Sequence, residues 1–132
     1  MANRIALDSG ALIKLGDGDQ LTRAILRKWT EEGWDTIVPA PVLAETLRGK
    51  AADAPINRIL NAHTAALRIV GIDERSARDA GTRLGRSGMR PEHTIDALIV
   101  ACAVAECAEH LLTGDRRDIT SLAAGELKVL AI

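Results

Sequence analysis

The sequence predicts an α/β protein in which one parallel sheet is covered by helices on both faces. Short apolar runs of strand length alternate with segments of helical periodicity, the pattern of parallel strands joined by helical crossovers. Gly, Pro or Asp interrupts the chain at or soon after most of these runs. No repeat, low-complexity stretch or linker divides the 132 residues, so residues 1–132 are expected to form one domain.

Arg4-Ile5-Ala6-Leu7 reads as a buried strand stopped by Asp8-Ser9-Gly10, with Ser9 as the expected cap of a short helix over Ala11–Leu15. Gly16-Asp17-Gly18-Asp19 breaks that helix. Apolar residues 21, 24, 25 and 29 then share one face of an amphipathic helix that ends by Gly33. Asp35–Val38 is the second strand, ended by Pro39. Pro41 suits the first turn of a helix over Val42–Arg48, closed by Gly49. A further helix is expected over Ala54–His63, and a third strand over Leu67–Ile72. Asp73 can cap a helix over Glu74–Leu84, and Gly85–Gly88 forms the next loop. Thr94 is the expected cap of an apolar helix reaching about Ala108, with Asp96 in its first turn. A fourth strand over His110–Thr113, a short helix over Asp118–Ala123 and a last strand over Lys128–Ile132 complete the chain.

Hydrophobic residues at 47% and charged residues at 27% are those of an ordinary globule. The net charge of −1 provides no general attraction to nucleic acid or anionic membranes, so a phosphate-bearing partner needs a local basic patch or bound cations. Cys102 and Cys107, about 140° apart on a helix, fit neither a redox pair nor a zinc half-site, and read as two small hydrophobic thiols. The longest uncharged apolar run, Ala97–Ala105, is far below the ~20 residues that cross a bilayer. Asp8 interrupts the only apolar stretch near the N-terminus, so no secretory signal is read and a cytoplasmic location is expected.

Ligands of open parallel sheets bind outside the carboxyl ends of the strands. Asp8 follows the first strand, Asp115 follows the fourth, Glu45 lies about a turn past the second, and Asp96 opens a crossover helix. All four are compatible with that rim, with Asp118 a possible fifth. Each acid alone has an ordinary explanation, as a helix cap, a solvated helix face or a dipole-favoured first-turn residue. Together they need a counter-charge, since two carboxylates ~4 Å apart repel by about 4 kcal/mol at an effective dielectric of ~20. Raised pKa values would relieve this, or a divalent cation. All-oxygen donors with no His or Cys expected nearby point to Mg²⁺ or Mn²⁺ rather than zinc.

The chain resembles the PIN-domain family, and within it the VapC-type toxins of toxin–antitoxin pairs. The resemblance rests on Leu7-Asp8-Ser9-Gly10-Ala11-Leu12, Pro41-Val42-Leu43-Ala44-Glu45, Ile95-Asp96-Ala97-Leu98-Ile99-Val100-Ala101 and Leu112-Thr113-Gly114-Asp115-Arg116-Arg117-Asp118, in this order across essentially the whole sequence. It implies a five-stranded parallel sheet in a three-layer α/β/α sandwich. It also implies Mg²⁺- or Mn²⁺-dependent endoribonuclease activity in a homodimer inhibited by an antitoxin protein. The metal-binding and catalytic acids carried over are Asp8, Glu45, Asp96 and Asp115, with Asp118 a further acid and Ser9 and Thr113 supporting hydroxyls.

Contacts to RNA phosphates fall to arginines near the motifs: Arg48, Arg86, Arg90, Arg116 and Arg117. Trp29 and Trp34, the only aromatics, lie outside the acidic motifs. The helix Ala24–Trp29, the Ala54–His63 segment and the surface near Leu15 and Leu21 could form a groove for the antitoxin. Two rival readings remain: a non-catalytic protein-binding or corepressor module on the same fold, and a phosphatase or phosphoacceptor domain using Asp8 as nucleophile. The second fits less well, because Lys14 and Lys50 are poor matches for the downstream lysine such domains use.

Overall fold

The computed structural model describes residues 3–62 and 67–132. Five strands, β1 (Arg4–Leu7), β2 (Asp35–Pro39), β3 (Leu67–Val70), β4 (His110–Thr113) and β5 (Lys128–Ala131), form one parallel sheet in the order β3-β2-β1-β4-β5. Helices α1 (Ser9–Gly16), α2 (Gln20–Glu31), α3 (Ala40–Thr46), α4 (Ala54–Leu60), α5 (Glu74–Ser87), α6 (Thr94–Ala105) and α7 (Arg116–Ala123) complete the expected three-layer α/β/α sandwich. Helix α1 packs with α2, α3 and α4, whereas α5, α6 and α7 pack on one another.

The central strands are apolar because both their faces are covered. Ile5, Ala6 and Leu7 of β1, Ile37 and Val38 of β2, and Leu111 and Leu112 of β4 have no solvent exposure. Helix α6 is buried almost all round through Ala97, Ile99, Val100, Ala101, Cys102 and Ala103, as expected of a helix apolar on every side. The chain winds outward from β1 through β2 to β3, then returns to place β4 against the other side of β1. The direction of winding therefore reverses between β1 and β4, and a crevice opens there at the carboxyl ends.

Several boundaries differ from the sequence reading. Asp8, not Ser9, caps α1: its Oδ1 accepts the Ala11 N–H at 2.9 Å, and Ser9 is already helical. Thr94 does not cap α6. A 3-10 turn, Pro91–His93, leads into that helix, His93 takes the cap position, and Thr94 Oγ1 donates to the Pro91 carbonyl at 2.5 Å. Helix α6 stops at Ala105 rather than Ala108, and Cys107 takes a left-handed φ of 58° where no glycine advertises the stop. Cys102 is buried but Cys107 is exposed, so only one of the pair is a core thiol. Helix α5 runs three residues past Leu84 to a left-handed cap at Gly88, and α7 starts two residues before Asp118. Helix α4 ends at Leu60, and His63 lies outside the described residues.

Helix α3 ends at Thr46 because the chain beyond it is captured by a carboxylate. Asp53, buried at 7% exposure, accepts the backbone N–H groups of Arg48 (2.9 Å), Gly49 (2.7 Å) and Lys50 (3.2 Å) on Oδ2. Burial opposes the Asp53 charge, but these N–H groups outweigh it and hold its pKa below the ordinary 3.8. Such a carboxylate stabilises the fold above its ordinary pKa, and the contribution fades as the pH falls through the lower folded-state value. Asp53→Asn is therefore expected to melt below wild type at pH 7, and the gap to narrow as the pH drops below 3.8. Thermal melts at pH 7 and pH 3 check this.

The amino edge of the sheet carries ordinary structural polar contacts. Arg4 and Arg68 each lie 3.1 Å from Asp35 Oδ2 and 3.7 Å from Glu106 Oε2. Trp29 and Trp34 stack on His110 with ring centroids 5.5 and 5.3 Å away. His110 starts β4, so the aromatic pair stands about 10 Å of strand away from Thr113 at the other end.

Candidate metal centre

Asp8, Glu45 and Asp96 come within electrostatic reach of one another at the carboxyl edge, around the crevice between β1 and β4, and Asp118 approaches Asp96 there. Asp8 follows β1 and is 5% exposed. Its capping bond to Ala11 occupies Oδ1, and Thr113 Oγ1 donates to Oδ2. Thr113, fully buried at the end of β4, also accepts the Asp115 N–H at 2.8 Å. One hydroxyl thus ties the Asp8 carboxylate to the backbone of Asp115. The segments meet closely elsewhere too: a Cβ on Gly10 would stand 3.1 Å from Gly114 Cα, so a glycine at each position permits the approach.

Glu45 comes from the last turn of α3, and Ser9 Oγ donates to its Oε1 at 2.5 Å. Asp96 is half-buried in the first turn of α6. Burial raises the Asp8 pKa, with the Glu45 charge adding to it, although bonds from Thr113, Ala11 and Gly114 pull the other way. Burial also raises Asp96, followed by the charge of Glu45, against an opposing pull from the nearby His93 imidazole and with a further push from Asp8. Asp8, Glu45 and Asp96 therefore act on one another electrostatically. Asp115 is exposed at the N-cap of α7, and its side chain makes no capping bond. Among the described residues, none hydrogen-bonds or ion-pairs with that carboxylate.

Asp118, in the first turn of α7, meets Asp96 through His93, which corrects the expectation that no His or Cys lies near the acids. His93 Nδ1 is 3.6 Å from Asp96 Oδ2 and 3.6 Å from Asp118 Oδ2. The three side chains offer donor atoms all within 4.8 Å of one another. An isolated His at the cap of an apolar helix carries no periodicity, so only its place three residues before Asp96 could have drawn attention to it.

The donor set fits a hard divalent cation. It is carboxylate-rich, partly desolvated and mutually repulsive. Among the described residues, no Lys or Arg comes within 4.0 Å of Asp8, Glu45, Asp96, Asp115 or Asp118. At the amino edge, by contrast, the chain supplies two arginines to its acids.

The five arginines are spread more widely. Arg116 and Arg117 open α7 beside Asp115, and Arg90 precedes the 3-10 turn that bears His93; all three are exposed. The Arg48 head is turned back onto its own helix end, donating to the carbonyls of Ala44 at 2.8 Å and Leu47 at 2.9 Å. Arg86 lines a groove between α5 and α7 with Ser87, Ser121 and Leu122, and that groove includes none of Asp8, Glu45, Asp96, Asp115 and Asp118. The suggested groove on the opposite helices is partly core. Leu15 and Leu26 are buried, while Leu21 (60% exposed) and Ile13 (42%) face outward.

Solved structures share this architecture. A Rickettsia felis VapBC2 complex bound to a promoter DNA fragment aligns with a TM-score of 0.74 at 17% identity, over 98% of each chain. A Klebsiella pneumoniae toxin–antitoxin complex aligns at 0.70 and 20% identity, over 96% of this chain and 95% of that one. Mycobacterium tuberculosis VapC20, a sarcin-ricin loop cleaving toxin, aligns at 0.62 and 20% identity, over 92% and 95%. No curated protein matches the sequence significantly. No helix among the described residues is long and apolar enough to cross a membrane. The PIN domain model matches residues 5–124, spanning all four acids, the crevice and the sheet from β1 to β4, and the chain belongs to the PIN domain family.

Proposed function

We propose that this chain is a one-domain, Mg²⁺- or Mn²⁺-dependent endoribonuclease that acts as the toxin of a toxin–antitoxin pair. The observation that carries the reading is the pair of buried or half-buried acids, Asp8 and Asp96, raised in pKa by burial and by Glu45, with no Lys or Arg among the described residues paired to them. The likeness in fold to the solved toxin complexes supports the toxin assignment.

Asp8, Asp96 and Asp115 would hold the cation, with Glu45 and Asp118 completing its surroundings. Bound there, the cation supplies Lewis acidity, acidifying water and neutralising charge that builds on the phosphate. The chain's residues do the positioning. Ala11 and Thr113 fix both oxygens of Asp8, so the carboxylate meets its partners already oriented. Ser9 engages Oε1 of Glu45 and leaves Oε2 to accept a hydrogen bond from the attacking water. Arg116 and Arg117 flank Asp115 and are the best placed of the arginines to hold the RNA phosphates. Arg90 stands near the His93 side of the centre, while Arg48 and Arg86 are poorer candidates in their present positions.

The outward-facing Ile13 and Leu21 give an antitoxin segment an apolar place to dock, and the active form is expected to be a homodimer in the cytoplasm. Purified protein should cleave cellular RNA when Mg²⁺ or Mn²⁺ is supplied and stop when a chelator removes it. Calorimetry should detect Mn²⁺ binding. Cation binding without cleavage of any RNA would move the reading to a binding or corepressor module, and an absence of both would overturn it. Co-expression of a neighbouring small reading frame should relieve growth arrest if that product is the antitoxin.

A further inference from the structure

We propose that His93 is a nitrogen donor of the cation centre and biases it toward first-row transition ions, Mn²⁺ among them, over Mg²⁺; this rests on the cation-dependent reading above. The position of the imidazole carries the argument. His93 is held at the start of α6 by its N–H to the Arg90 carbonyl at 3.0 Å, while Thr94 closes the same turn onto Pro91. Its Nδ1 is equidistant, at 3.6 Å, from an oxygen of Asp96 and an oxygen of Asp118. A histidine that served only to orient one acid would close on it at about 2.7–3.2 Å. Here it straddles two, on different helices, without a hydrogen bond to either. Two donors sharing an ion through bonds of about 2.1 Å stand no more than about 4.2 Å apart, so both separations already suit one ion.

The chemistry follows from the donor. Mg²⁺ favours oxygen ligands and keeps several waters, and it gains little from an imidazole. Transition ions gain more from nitrogen, in the order Mn²⁺, Fe²⁺, Co²⁺, Ni²⁺. An imidazole beside two carboxylates therefore discriminates between cations that a purely acidic site would treat alike. The rival role is a protonated imidazole that balances Asp96 and Asp118 and must be displaced when a cation binds. The two roles predict opposite signs: removing a ligand weakens Mn²⁺ binding, whereas removing a competing charge tightens the binding of every divalent cation.

Pulsed EPR of Mn²⁺ bound to the wild-type protein should show coupling to a nitrogen-14 nucleus, and the coupling should vanish in His93→Gln. Calorimetry on wild type, His93→Gln and His93→Ala should show Mn²⁺ affinity falling tenfold or more while Mg²⁺ affinity changes less than threefold. Melting curves of the metal-free variants confirm that each folds. Absence of nitrogen coupling in wild type overturns the proposal without need of a variant. So does tighter binding of both ions in the variants, or an equal loss for both. If wild type binds neither ion and cleaves no RNA, the nuclease reading itself fails, a result distinct from a metal-dependent nuclease whose ion preference ignores His93.

Discussion

Replacing Asp8 by Asn is expected to lower RNA cleavage by on the order of 10³-fold, and yet to leave the metal-free protein as stable as wild type or more so. The two effects share one cause. Asp8 is buried and faces Glu45, and its carboxyl is raised above the ordinary 3.8. A group whose pKa rises on folding is easier to bury protonated than charged, so stability is lost as the pH climbs from 3.8 through the raised folded-state value. At pH 7 the metal-free wild type bears that cost in full, and Asp8→Asn does not. The Asn oxygen can still accept the Ala11 N–H, so the cap of α1 survives. Its amide then faces Thr113 in place of an acceptor, which offsets part of the gain. Below 3.8 the two proteins should converge. Adding Mn²⁺ should reverse the order by stabilising wild type alone, because a ligand stabilises only the form that binds it. Melting curves with and without Mn²⁺ at pH 7, alongside cleavage rates, check both halves. Cleavage at the wild-type rate, or a variant that melts well below wild type without metal, would assign Asp8 a capping role only.

Asp8 is in fact a cap as well as a candidate ligand, and this explains what the sequence could and could not reveal. Strand periodicity ends at Leu7, so an acid at residue 8 was legible as a strand-end residue at the carboxyl rim. The chain order of the acids was enough to suggest the rim, and the strand order β3-β2-β1-β4-β5 then narrowed it to the crevice between β1 and β4. What lay beyond reach were contacts between residues far apart in sequence that follow no period. The Ser9–Glu45 bond joins the first turn of α1 to the last turn of α3. Asp53 ends α3 by capturing three backbone groups upstream, and a carboxylate with that task looks like any surface acid in the sequence. The errors over Ser9 and Thr94 have a common source. Both hydroxyls sit beside a helix start, and propensity favours them as caps, but Ser9 was taken by Glu45, far away in sequence, and Thr94 by the Pro91 carbonyl three residues back.

Thr113→Val should weaken Mn²⁺ binding by about 10- to 100-fold and cost about 1–3 kcal/mol of stability, whereas Thr113→Ser should remain close to wild type in metal affinity. Valine keeps the size and β-branching that β4 uses where Thr113 pairs with Ala131, so packing is nearly unchanged and the loss isolates the hydroxyl. That hydroxyl has no substitute nearby. It is fully buried, donates to Asp8 Oδ2 and accepts from the Asp115 N–H at 2.8 Å. Its removal strands a buried carboxylate oxygen and frees the loop that carries Asp115. The bond from Thr113 also lowers the Asp8 pKa against the raising effect of burial, so valine should raise it further. Protons then compete with the cation up to a higher pH, and the apparent Mn²⁺ affinity of Thr113→Val should recover more steeply than that of wild type as the pH increases. Serine restores the hydroxyl and forfeits only a methyl group. If serine and valine lose metal affinity alike, the methyl packing is what matters. If neither loses any, Asp8 and Asp115 reach the cation without the bridge, and the Asp8–Thr113 contact serves the fold alone.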